Sequence, residues 1–233
     1  MMLRRMDSMM VSFEMTETLL AVALTLAAFV CLFDRHLLRA TLCFIGFALL
    51  LTLAWWRLAT PWLALAELLL GAIVSGASLL FALGVLPTGA ALKPRHDRFP
   101  VPLSHGVTRL ALSVLWLVLM AAGVRHALPA MALSPSEEPL LIAAGVWVAC
   151  ALGAFALHRH LLRRLLAFNV LGSGVFVLLA GMAGPMLAAQ LLILVGLCIA
   201  ALGTLLGALL IRRLYHLEGL EALDPDIDKT VAQ

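Results

Sequence analysis

Residues 61–80 read PWLALAELLLGAIVSGASLL, and their only formal charge is Glu67. The run is long enough to cross a bilayer, which takes about 20 mostly apolar residues. A carboxylate at membrane depth costs roughly 2.5–3.5 kcal/mol on insertion scales, so an acid in such a run needs a reason to be there. Helical spacing puts Ala64, Glu67, Gly71, Ser75 and Ser78 along one small, polar face, with Leu, Ile, Val and Phe on the others. Glu67 stands about 9 Å below Pro61 at 1.5 Å per residue, too deep for a simple interfacial charge. It is read as facing a neighbouring helix or a wet cavity and handling a cation or proton. The plainer alternative is a protonated glutamate bonded to a partner helix, its Gly–Ser face serving only close packing.

The rest of the chain agrees with a membrane setting. Of its 233 residues, 64% are hydrophobic and 12% charged, with a mean hydropathy of +1.08. A soluble domain carries about 25% charge. Seven apolar stretches predict an all-α, multi-pass membrane protein: 18–33, 37–56, 61–86, 107–124, 140–157, 165–182 and 185–211. The first is expected to extend back through Met15. These runs are continuous rather than alternating, which excludes a β-barrel. The start is read as a retained span and not a signal peptide, because Asp7, Glu14 and Glu17 interrupt it and no small-residue cleavage site precedes Asp34.

Charge sets the orientation. With the N-terminus outside and the C-terminus cytoplasmic, the inner segments hold Arg35, Arg39, Lys93, Arg95, Arg98, Arg109, Arg159, Arg163, Arg164, Arg212, Arg213 and Lys229. The outer ones hold Arg4, Arg5, Arg57 and Arg125. This satisfies the positive-inside rule, and the localisation expected is the cell (inner) membrane. Trp55, Trp56 and Trp62 cluster at an outer boundary, as interfacial aromatics do. The organisation expected is a three-helix element at 1–90, a proline-rich cytoplasmic linker with a fourth span at 91–135, a second three-helix element at 136–216, and an acidic tail at 217–233.

Little else in the chain suggests chemistry. Cys31, Cys43, Cys150 and Cys198 sit in apolar runs without C-x-x-C spacing and are read as packing residues. The histidines lie at span boundaries, and those in HRHLLRR (158–164) read with their arginines as topology determinants. No nucleotide or metal motif is present, so no cofactor or metal is expected. The absence of a basic tract with interleaved aromatics argues against nucleic acid. Gly203 and Gly207 form a small-xxx-small pair for helix contact. No span has an interior lysine for a Schiff base, which excludes a retinal protein.

Two stretches carry a family resemblance. PWLALAELLLGA (61–72) resembles the D-type subunit of membrane-bound hydrogenases and the C-terminal region of the large A-type subunit of Mrp sodium/proton antiporters. Pro61, Ala64, Leu65, Glu67 and Gly71 match that pattern, and the resemblance covers 15–88. Trp62 replaces the aspartate that the family commonly has there. Residues 139–216 resemble the C-type subunit of Mrp antiporters and the K-type subunit of complex I, through Arg159, Arg163, Pro185, Gln190 and Thr204. Asn169 stands at the K-type second-helix glutamate position, a glutamate that the C-type subunits also lack, and the third helix has no acid. The fourth span loosely resembles the first helix of the E-type subunit.

The resemblance implies a subunit of an Mrp-type or complex I-like assembly that moves protons or sodium ions, driven by a redox module or an ion gradient. Its partners would be antiporter-like and small helical membrane subunits, with lipid around them. Glu67, Ser75, Ser78, Asn169 and Gln190 would line the ion or proton path, with Gly71, Gly203 and Gly207 packing helices. A chain with one intramembrane acid is not a complete pump and is not catalytic alone. The other readings are a structural or assembly subunit without its own path, and a stand-alone small-molecule transporter.

Overall fold

The computed structural model describes residues 2–85, 139–158, 160–184 and 186–218, with scattered helical positions between 107 and 126. All regular structure among them is helical. The proline-rich linker, most of the fourth predicted span and the acidic tail lie outside the described residues.

Six helices form the bundle: α1 (Met2–Phe33), α2 (Leu37–Arg57), α3 (Pro61–Ala82), α4 (Pro139–Leu157), α5 (Leu161–Ala183) and α6 (Leu187–Glu218). Each contains a segment long and apolar enough to cross a membrane, and in α1 that segment is Met15–Phe33. Six of the seven expected stretches therefore correspond to these helices, with ends moved by local chemistry. Pro61 opens α3 at its first turn, where a missing N–H is harmless. The third stretch stops before 86 because Gly84 takes the left-handed conformation (φ 67°) and Val85 N–H returns to the Leu80 carbonyl. The same closure ends α2, except that an alanine, Ala59, holds the positive φ of 56° while Thr60 N–H reaches the Trp55 carbonyl. The α5 helix starts earlier than expected, at Leu161, because the His160 ring accepts the Leu162 N–H as an N-cap.

The helices close a ring in the order α1, α2, α3, α6, α5, α4, with α2 and α5 touching across the middle. The two three-helix groups thus meet along two seams, α1 with α4 and α3 with α6. At the first seam Trp147 donates its indole N–H to Thr25 Oγ1 at 3.0 Å, and Phe47 meets the Trp147 ring edge-on at 5.4 Å. Small residues set the closeness elsewhere. A Cβ at Gly196 would fall 2.6 Å from the Phe176 ring, and one at Gly207 would fall 2.9 Å from Leu165, so α6 lies tightly on α5. Gly203 is looser, 3.9 Å from Phe168 by the same measure.

The bundle has two chemically distinct ends. At one, Arg163 is buried and donates to the carbonyls of Leu32 and Asp34, while His158 Nε2–H donates to the Leu32 carbonyl at 3.0 Å. These groups satisfy the last carbonyls of α1 and complement its negative dipole end. On the other seam, at the same end, Arg212 caps α3 by donating to the Phe81 carbonyl at 3.0 Å. Arg163 and Arg212 therefore have a structural use beyond topology. Positive-inside counting missed it, because it does not tell which basic side chains turn inward. The opposite end gathers Glu17, Thr60, Leu140, Gly184 and Gln190 around a cavity. So α3 finishes at the basic end and α4 begins at the cavity end.

Candidate functional site

Glu67 opens the central part of α3, and that part is not α-helical. From Glu67 to Ser75 the backbone bonds i→i+5 as a π-helix, before α-geometry resumes at Gly76. Long π segments are rare and concentrate at functional sites. The wider turn alters which side chains share a face. Glu67, Ala72, Ser75, Gly76, Ser78 and Leu79 are buried, whereas Gly71 is only half-buried. The face predicted from 3.6-residue spacing is thus kept at Ala64, Glu67, Ser75 and Ser78 and shifted between them.

The Glu67 side chain is 2% exposed. It lies back along its own helix over Gly71, where an added Cβ would collide with the carboxyl Oε1. Glycine here leaves the volume that the carboxyl occupies. The helix packs against α2 and α6, and Trp55 of α2 brings its indole N–H toward the carboxyl. The approach falls short of hydrogen-bond geometry. Trp55 Nε1 and Glu67 Oε2 both stay buried without a partner among the described residues. Orphaned buried polar atoms in one place are uncommon and mark a site that a proton, an ion or water can complete.

Trp55 corrects the interfacial reading of the tryptophans. Its exposure is 0%, against 67% for Trp56 and 75% for Trp62. Trp55 falls on the buried stripe of α2 with Leu51 and Ala54, while its two companions face outward. Closeness to the boundary did not reveal that difference; the helical phase of Leu51 and Ala54 did.

The other expected path residues are placed variously. Ser75 donates to the Leu70 carbonyl at 2.8 Å and Ser78 to the Val74 carbonyl at 2.7 Å, both within α3. Asn169 is buried between α5 and α6, giving its amide N–H to the Leu165 carbonyl and accepting the Thr204 hydroxyl at 2.8 Å. Gln190, near the start of α6, lines the cavity. Glu67 is not in that cavity's lining. Cys31 is buried, Cys43 and Cys150 half-buried and Cys198 exposed, all as free thiols. Among the described residues, no group of three or more His, Cys, Asp or Glu could hold a metal.

The arrangement can hold a carboxyl group in a protein-lined, π-helical turn beside an indole donor. It offers no nucleophile–base pair and no metal donor set among the described residues. The chain matches no known protein family, no curated protein and no solved structure.

Proposed function

We propose that this chain is a membrane subunit of a multisubunit cation- or proton-translocating assembly of the Mrp or complex I-like type, with Glu67 lining an ion or proton path. The observation that carries the reading is the Glu67 carboxyl, sealed inside the bundle with Oε2 unpartnered among the described residues and Gly71 reserving its space. A membrane acid kept for packing alone would find a hydrogen-bond partner on a neighbouring helix, as Asn169 does with Thr204.

The topology proposed is seven spans with the N-terminus outside. Arg35, Arg39, Arg163, Arg164, Arg212 and Arg213 belong to the basic end, which supports its placement on the cytoplasmic side. The seventh span proposed is the apolar stretch at 107–124, which would join the basic end, where α3 finishes, to the cavity end, where α4 begins. The inner membrane is the proposed location.

The alternative is an assembly subunit with no path of its own. The closed hydrogen bonds of Ser75, Ser78 and Asn169 favour it, because they leave only Glu67 and Gln190 of the path candidates. Two experiments test the proposal. Purification in mild detergent should give a large complex containing antiporter-like subunits; a monodisperse single chain would argue for a stand-alone transporter. Replacing Glu67 by glutamine should then abolish ion flux without dispersing the complex.

A further inference from the structure

Glu67 lies in the part of α3 that packs against α2 and α6. On α6, Gln190 lines the cavity and Thr204 bonds to Asn169. On α2, Thr41 and Thr52 donate to their own helix, at Leu37 and Ala48. Ser75 and Ser78, further along α3, are likewise turned back onto the Leu70 and Val74 carbonyls. What α2 brings to Glu67 is the indole N–H of Trp55, which is fully buried. The α2–α3 turn fixes it there, since Thr60 donates both its N–H and its hydroxyl to the Trp55 carbonyl, at 3.1 and 2.9 Å.

The titratable groups of these helices are engaged or placed elsewhere. Glu67 is the only one on α3. On α2, Arg39 and Cys43 stand about 18 Å or more from Trp55 at helical rise, and Arg57 donates to Thr16 of α1 at 2.7 Å. Cys198 of α6 is exposed, and the remaining titratable residues of that helix follow Ile211.

A proton and a sodium ion need different things from a site. A proton needs one lone pair. A sodium ion must replace most of its water shell, so it needs several oxygens at once, as metal and channel sites supply. An indole N–H is a donor only and turns its positive end toward the carboxyl. It can bond a carboxylate oxygen, or the water that carries a proton to it, but it cannot ligate a cation. Oε2 of Glu67 and Nε1 of Trp55, both buried and without a partner among the described residues, are the acceptor and donor that such an exchange uses. We infer that the Glu67 site takes a proton and excludes sodium, with Trp55 as the positioning residue that holds the carboxylate between protonations. This assignment rests on the ion-path reading proposed above and narrows it to one cargo.

The test is infrared difference spectroscopy on the intact complex, reading the C=O stretch that a protonated carboxyl shows and a carboxylate lacks. The Glu67 band is the one that Glu67→Gln removes. Trp55→Phe keeps the carboxyl but takes away its donor, so it should move the same band to higher frequency; it identifies the band if the glutamine variant does not assemble. The band should appear on acidification and vanish on alkalisation, with the same midpoint in sodium chloride as in choline chloride of equal ionic strength. A sodium ion held there at ten times its Kd would lower that midpoint by about one pH unit. Such a drop, a band that does not titrate, or a frequency indifferent to Trp55→Phe overturns the assignment. The readout is occupancy and not transport. Normal flux in Glu67→Gln would end the path reading and leave the measured selectivity standing, whereas sodium sensitivity with flux lost would do the reverse.

Discussion

Arg212 of α6 donates to the carbonyl of Phe81, and its guanidinium lies 4.7 Å over the Phe81 ring. One side chain thereby caps the end of α3 and closes the seam between the two halves of the bundle. The residue is 7% exposed, so its partners are desolvated with it. A hydrogen bond from a charged donor contributes about 1.5–3 kcal/mol and a cation–π contact about 0.5–2. Arg212→Leu should therefore lower stability by about 2–4 kcal/mol, measured by thermal unfolding in detergent. Arg212→Lys should recover part of it, since an ammonium can reach the carbonyl but cannot lie flat on the ring.

Gly71→Ala places a methyl group into the space of the Glu67 carboxyl. The expected cost is about 1–3 kcal/mol of overpacking. Shortening the acid relieves it: in a double-mutant cycle, Glu67→Ala with Gly71→Ala should be more stable than the two single losses predict. Additive losses would mean that the carboxyl does not lie over Gly71.

Asn169 and Thr204 join α5 to α6 by a buried side-chain hydrogen bond at 2.8 Å. Such bonds between membrane helices average about 0.6 kcal/mol and rarely exceed about 1.7. The coupling between Asn169→Ala and Thr204→Val should fall in that range. Flux per assembled complex should be unchanged by either, since both side chains are occupied by each other and by their own helices.

His158 gives the bundle an acid-sensitive contact. Burial, with Arg163 beside it, lowers its pKa from 6.5 to about 4, although its bond to the Leu32 carbonyl works the other way. Between those values the unfolded chain takes up a proton that the folded chain refuses. Stability should thus fall as pH drops from about 6.5 toward 4, by about 2 kcal/mol at pH 5, and this group should have no effect above about 7.5. His158→Gln should flatten the pH dependence of the unfolding midpoint over that window. An unchanged slope would place the titration elsewhere.

Much of the bundle was readable in the sequence, because length and hydropathy alone separate α1 to α6. The residues that join those helices were not. Nothing in HRHLLRR distinguishes Arg163, which turns inward to the end of α1, from Arg164, which lies over the Phe155 ring at 5.6 Å. The distinction depends on the register of two turns in space. Glu67 was conspicuous because a lone acid in an apolar run is expensive wherever it points. Its surroundings were hidden for a different reason. Spacing arguments assume 3.6 residues per turn, and the π segment departs from that at Glu67, moving Gly71 off the buried face. Trp55 was misplaced by the opposite error, in which position along the chain was weighed above helical phase.

The proposal that Glu67 lines an ion path is tested most directly by cation-dependent proton flux in inverted membrane vesicles, comparing the natural chain with Glu67→Gln at matched amounts of intact complex. The amide fills the same volume over Gly71 but cannot exchange a proton or neutralise a cation. Flux should be lost or sharply reduced across the working pH range. Normal flux at several pH values, with the complex intact, would contradict the account and leave Glu67 a packing residue.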